Sequence, residues 1–177
     1  MLRKKQNIYS ESDLKEAKNI YFRYGGNKFE MERDGVYKKY NNYGITKRQE
    51  GKWKDEIFED YKSKIEKEYD NLKLENNIHG ILMLEYRTTE AINIVIDILN
   101  RRDIDTFSSI LICEEIKKTL KYTHENNNCD NVKSGLYQIK NKLLNEKITI
   151  DSRYLNASFM RDYDFSECSI RNRILNI

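Results

Sequence analysis

The sequence predicts an all-α fold, and three observations carry that prediction. Apolar residues recur three and four apart through most of the chain, the spacing that lines one face of a helix. The breaks between these periodic stretches are polar and hold Asn, Asp and Gly, residues that cap and stop helices. Alternating stretches are few, and the clearest of them, INIVIDIL, lies within about a dozen residues framed by Thr88, Thr89 and Asn100, a length that suits a buried helix better than a strand. No proline occurs in the 177 residues, so element boundaries have to be read from glycine, asparagine and caps.

The first helix follows Ser12 as a cap and carries Leu14, Ala17, Ile20, Tyr21 and Tyr24 at helical spacing. Gly25-Gly26 stops it, because glycine takes the left-handed conformation past a helix end without steric cost. Residues 27–45 admit two readings. Asp34-Gly35 is a strong hairpin signal, but closing a hairpin there opposes Met31 to Lys38 and Glu32 to Tyr37 and leaves no apolar face. The preferred reading is a helix capped by Asp34, with Val36, Tyr40 and Tyr43 on one stripe and an end at Gly44, preceded by a short extended element near residues 27–33. Thr46 then opens a helix, with Gln49 placed to complete a capping box. Trp53, Ile57, Tyr61, Ile65 and Tyr69 fall four apart along it, a narrow stripe on a very polar helix running to about residue 75.

From residue 78 the chain turns aliphatic. Asp103 or Asp105 caps a helix to about Tyr122, HENNNCDN is a polar loop, and Asp130 caps a helix with Val132, Leu136, Ile139, Leu143 and Leu144 on its apolar face. Two short helices finish the chain, one around Tyr154 to Arg161 and one after Ser166. The expected total is about seven helices, packed as stacked helical hairpins in a short, irregular, solenoid-like array. No repeat of fixed period and no Gly-, Ser- or Pro-rich linker appears. Residues 1–177 therefore read as a single domain, with basic, aromatic-rich helices over 1–76 and aliphatic ones over 77–177.

Charged residues make up 34% of the chain, against about 25% in an ordinary soluble domain. Apolar residues make up 38%, including 13 tyrosines. No stretch approaches the ~20 apolar residues of a membrane span. Membrane, collagen-like and disulfide-scaffold classes are thereby set aside. Alanine and valine are scarce while Lys, Asn, Ile and Tyr abound, a preference for A/T-rich codons that points to a low-GC bacterium or its phage. The choice of Lys over Arg, or Ile over Val, then carries no functional message. The N-terminal stretch MLRKKQNIYSESDLKEAK lacks the apolar core of a secretory signal, and three cysteines, an odd number, fit free thiols in a reducing compartment. The expected location is cytoplasmic.

Candidate chemistry is sparse. His79, Cys113, His124, Cys129 and Cys168 are the possible soft metal ligands, but no C-x-x-C, H-E-x-x-H or EF-hand spacing joins them. His79 lies in an apolar run and reads as a packed core histidine, and Cys113 as a core thiol. His124 ends a helix, where an imidazolium suits the dipole. Asp103, Asp105, Glu114, Glu115 and Lys117 resemble loosely the D…E-x-K arrangement of metal-dependent nucleases, yet Glu115 and Lys117 read as one solvent-facing turn of helix. There is no nucleophile elbow and no phosphate-binding glycine loop. No metal, no cofactor and no catalytic residue is expected, and the chain reads as a non-enzyme.

The distinctive segment runs from residue 21 to 54. Residues 1–54 hold 14 Lys and Arg against 7 Asp and Glu, a net of +7, while residues 55–177 hold 18 against 22, a net of −4. Within 21–54, Tyr21, Phe22, Tyr24, Phe29, Tyr37, Tyr40, Tyr43 and Trp53 alternate with nine cations. Three readings are open: a protein-binding surface built on rigid aromatic anchors, a single-stranded nucleic-acid surface of rings and cations, or tyrosines serving as core in place of aliphatics. The protein-binding reading selects Arg33, Tyr37, Tyr40 and Trp53 as contacts.

The same stretch, with Phe29, Met31, Arg33, Asp34, Gly35, Tyr37 and Tyr40 in an F-x-M-x-R-[DE]-G-x-Y-x-x-Y pattern followed by Trp53 and Glu56, resembles small uncharacterised helical proteins of low-GC Gram-positive bacteria. The resemblance covers about residues 21–57. It implies an immunity-protein-like role: binding a toxin domain and neutralising it. The alternative is a nucleic-acid-binding phage or mobile-element protein. No membrane partner is expected.

Overall fold

A computed structural model describes residues 10–122 and 129–177. Among the described residues there are ten α-helices, one short 3-10 turn and no strand. The chain folds as two compact units, the first ending at Asp60 and the second running from Tyr61 to Ile177. The compositional boundary after residue 76 lies later than this division.

The first unit contains α1 (Glu11–Arg23), α2 (Lys28–Arg33), α3 (Tyr37–Asn42) and the opening turns of α4 (Lys47–Lys67). The capping box of α1 sits earlier than Ser12: Ser10 Oγ accepts from the Asp13 N–H at 3.1 Å, and the Asp13 carboxylate accepts from the Ser10 N–H at 3.3 Å. Gly25-Gly26 ends the helix as the sequence predicts, with the Gly26 N–H donating to Tyr21 O at 2.9 Å.

The extended element expected near residues 27–33 is absent, because those residues form α2. Asn27 caps it by accepting from the Glu30 N–H at 3.2 Å. Asp34-Gly35 then closes the helix instead of a hairpin. Gly35 takes φ +71°, its N–H donates to Glu32 O at 3.0 Å, and the Val36 N–H reaches back to Met31 O at 2.8 Å. These are the two bonds of a Schellman stop. An Asp-Gly pair serves either structure because both need a residue at positive φ; here helical spacing decides, burying Met31 and Tyr40.

The predicted count of about seven falls short for two reasons. Residues 28–33 form a helix, α2, in place of the expected extended element. The helix expected from Thr46 to about residue 75 also breaks at 68–70. Thr46 Oγ1 does accept from the Gln49 N–H at 3.2 Å, but α4 stops at Lys67 and Asp70 starts α5 (Asn71–Met83) by accepting from the Lys73 N–H at 3.0 Å. Tyr69, counted on the α4 stripe, is left in the connection and exposed.

The second unit adds α6 (Thr88–Arg101), α7 (Thr106–Tyr122), α8 (Cys129–Asn145), α9 (Ser152–Leu155), the 3-10 turn at 158–160 and α10 (Glu167–Leu175). INIVIDIL lies inside α6, which buries Ile92, Val95, Ile96, Ile98 and Leu99. The most extensive packing joins α5 to α7 and α6 to α8, with α10 against α7 and α8. Helices two apart in sequence thus pack more extensively than α5 and α6, which are consecutive, in contrast to an array of stacked hairpins. Gly135 sets how closely α8 approaches α6: a Cβ there would lie 2.5 Å from Ile96 Cγ2, well inside van der Waals distance.

Candidate protein-binding surface

The four contacts selected from the sequence separate into two pairs. Tyr40 is 3% exposed and Trp53 1% exposed, so neither is available as a surface anchor. Both belong to the interior of the first unit, where the Tyr21 ring lies 5.9 Å from Tyr40 and 5.4 Å from Trp53. Short helices with few aliphatic residues leave rings as the bulk that fills this core, and Ala17, Met31, Ile57 and Phe58 are buried in the same unit. The Tyr40 hydroxyl escapes burial without a partner by donating to Glu50 Oε1 at 2.7 Å. Glu50 in turn holds the Lys28 ammonium at 3.0 Å. Burial, with Glu50 nearby, pushes the Tyr21 hydroxyl up to about 12 and raises that of Tyr40 as well, so both tyrosines remain neutral donors near neutral pH.

Arg33 and Tyr37 stay outward. Arg33 is exposed and donates from Nε to Asp34 Oδ1 at 3.0 Å. Tyr37 is half-buried, its ring 6.5 Å from Tyr40. Several cations of the basic segment are neutralised by acids of the same unit. Glu16 takes the Lys39 ammonium and the Tyr43 hydroxyl, contacts that hold its carboxyl below the ordinary carboxylate range. Lys18 pairs with Glu56 at 2.6 Å. Lys38, Lys47, Arg48 and Lys52 form no ion pair among the described residues.

Phe29 is not among the four contacts selected from the sequence, yet it is 75% exposed. Phe29 and Arg33 lie four apart on α2 and share a face, with buried Met31 on the other side. That signal is present in the spacing once residues 28–33 are read as helix. Tyr24 is close enough to Arg33 to act on it electrostatically, and Arg23 lies 5.8 Å from the Tyr24 ring centroid.

The groups that suggested chemistry are engaged elsewhere. His79 is exposed rather than packed in the core, and its Nδ1 lies 2.5 Å from Glu115 Oε1. Position 79 falls on the polar edge of α5, beside buried Ile78. Asp105 accepts from Asn71 at 3.0 Å and from the Ser108 N–H at 3.0 Å. Glu114 pairs with Arg173, and Lys117 donates to Asn176 O at 2.5 Å. Asp105, Glu114, Glu115 and Lys117 are thus each engaged with a different partner. Along α5 and α7 a polar network links Asp105 to Ser108, Ser108 to Tyr154, and Tyr154 to Glu75. Burial raises the Glu75 carboxyl above its ordinary range, and Asp105 and Glu115 add to this while the Tyr154 hydroxyl opposes it.

Among the described residues no group of three or more His, Cys, Asp or Glu could hold a metal. Cys113 is buried, which pushes its thiol up to about 12, and Cys168 is exposed as a free thiol. The pairing of His124 with Cys129 lies outside the described residues. Among the described residues, no helix is long and apolar enough to cross a membrane. No protein-family model, curated protein or solved structure matches this chain.

Proposed function

We propose that this chain is a cytosolic, non-enzymatic protein-binding protein, an inhibitor of the immunity-protein kind that occludes a toxin domain. The supporting observation is the outer face of α2, where Phe29 is largely exposed and Arg33 follows one turn later. An exposed ring beside a guanidinium, with the half-buried Tyr37 on the following helix, is the residue chemistry of interface anchors. Tyr40 and Trp53 support this face from inside and do not belong to it. Unpaired cations in the same unit would steer an acidic partner.

The test is affinity purification of tagged protein from nuclease-treated cytosol of the native host, comparing wild type with Phe29→Ala/Arg33→Glu. Both positions are exposed, so the variant keeps the fold. A stoichiometric protein retained by wild type and lost by the variant is expected. A partner retained equally by the variant rules out this face, and loss of all partners after nuclease favours nucleic acid.

The second reading, nucleic-acid binding, draws on one observation: Lys47, Arg48 and Lys52 sit unpaired in the first turns of α4, where cations oppose the helix dipole. It requires affinity for labelled oligonucleotides that falls steeply with salt through counterion release. A flat salt response removes it.

A further inference from the structure

The geometry points to a binding site for an anionic amphiphile of the medium-chain fatty-acid class in a cleft between α7 and α8 of the second unit, closed by Ile177. The cleft holds about 380 Å³, within the range of small-molecule sites. Its floor is aliphatic, from Leu120, Leu136 and Ile177, with the Tyr137 ring at one side. Among the described residues, the charged side chains lining it are four lysines, a lining that suits an anionic ligand.

These lysines have two different tasks. Lys117 and Lys140 donate to the carbonyls of Asn176 and Leu175, at the end of α10 where helix carbonyls lack partners. They hold the wall of the cleft in place. Lys121 forms no ion pair among the described residues, and Lys133 reaches only Asp130, at 3.8 Å. Those two ammonium groups are available to a carboxylate head while an alkyl tail covers the floor. A second cleft of about 330 Å³ shares Lys117 and Lys121 and adds Lys118, while Glu114 and Arg173 in its wall pair with each other. The aliphatic floor offers a tail van der Waals contact, whereas a nucleobase would find one ring to stack on.

Calorimetric titration of the full chain with decanoate, below its micelle concentration, tests the site, with methyl NMR shifts locating it. One decanoate is expected to bind per chain, shifting Leu120, Leu136 and Ile177. Decanol is expected to bind at least about tenfold more weakly and decyltrimethylammonium not at all, because the charge-assisted contacts are lost or reversed. Lys121→Glu/Lys133→Glu should lose about tenfold or more, and Tyr137→Glu should also weaken binding. Tyr137 is 64% exposed, so its replacement leaves the core intact. Equal affinity for decanol, an unaffected lysine variant, shifts confined to other helices, or binding to phosphatidylglycerol vesicles without binding to decanoate would each overturn the proposal.

Discussion

The unit ending at Asp60 fills its interior with Tyr21, Tyr40 and Trp53, whereas the unit from Tyr61 fills its own with Ile, Leu and Val from α5 to α8. The first has helices of six residues at α2 and α3, too short to present an aliphatic stripe; the second has helices of 13 to 17 residues that do. A large ring buries as much surface as several small side chains, so a few of them make a core where the helices are short. The cost is a hydroxyl at each tyrosine, and Glu50 meets the one on Tyr40. The second unit uses the same device where Tyr154 bonds Glu75 beside the Phe107 cluster. Aromatic density in this chain therefore reports how a core is built before it reports what a surface binds.

The largest expected effect breaks the first core alone. Trp53→Ala should cost about 3–5 kcal/mol, the range for removing a buried aromatic. Amide exchange would show lost protection in α1, α2 and α3 while α5 to α8 stay protected. Equal loss in both sets would mean that the two units unfold as one.

Much of the second unit was legible in the sequence because its helices are long. Repeated apolar positions along α6, α7 and α8 outweigh any local ambiguity, and Asp105 and Ser166 cap α7 and α10 as their positions suggest. The first unit was harder to read. A six-residue helix holds less than two turns, so the period around Phe29 and Met31 could be taken for alternation. Asp34-Gly35 fits a hairpin and a helix stop alike. The break at 68–70 left no glycine or proline to mark it, and Asp70 as a cap is visible only once the break is known. Burial of Tyr40 and Trp53 depends on Tyr21, far away in sequence, and no spacing rule conveys that contact.

In the second unit the sharper probe is overpacking. Gly135→Ala would place a Cβ 2.5 Å from Ile96 Cγ2 and should destabilise by about 1–3 kcal/mol, the usual cost of a methyl forced into a filled core. Ile96→Ala made with it should return part of that loss, since the two positions share one space. A urea-melt double-mutant cycle measures the coupling. An additive result would mean that α6 and α8 have room to separate.

The smallest expected effect separates the two tyrosine–glutamate pairs by charge. Glu75 has its carboxyl raised above the ordinary 4.5 by burial and by Asp105 and Glu115. Ionising it costs more in the folded chain than in the unfolded one. Its contribution is therefore fully present below pH 4.5 and is lost as pH rises through the raised folded value. Glu75→Gln keeps an acceptor for the Tyr154 hydroxyl and removes the charge. The variant should exceed wild type in stability at pH 7, by up to about 1 kcal/mol, and the gain should shrink as pH falls toward 4.5. Taking the difference between variant and wild type cancels Asp70 and Asp151, whose carboxyls are lowered and which weaken the fold in acid regardless of Glu75. Glu50, paired with Lys28, should show no such gain on Glu50→Gln, because removing its charge leaves that ammonium unpaired. If both variants gain alike at pH 7, the Lys28 ion pair contributes nothing and the two pairs are equivalent.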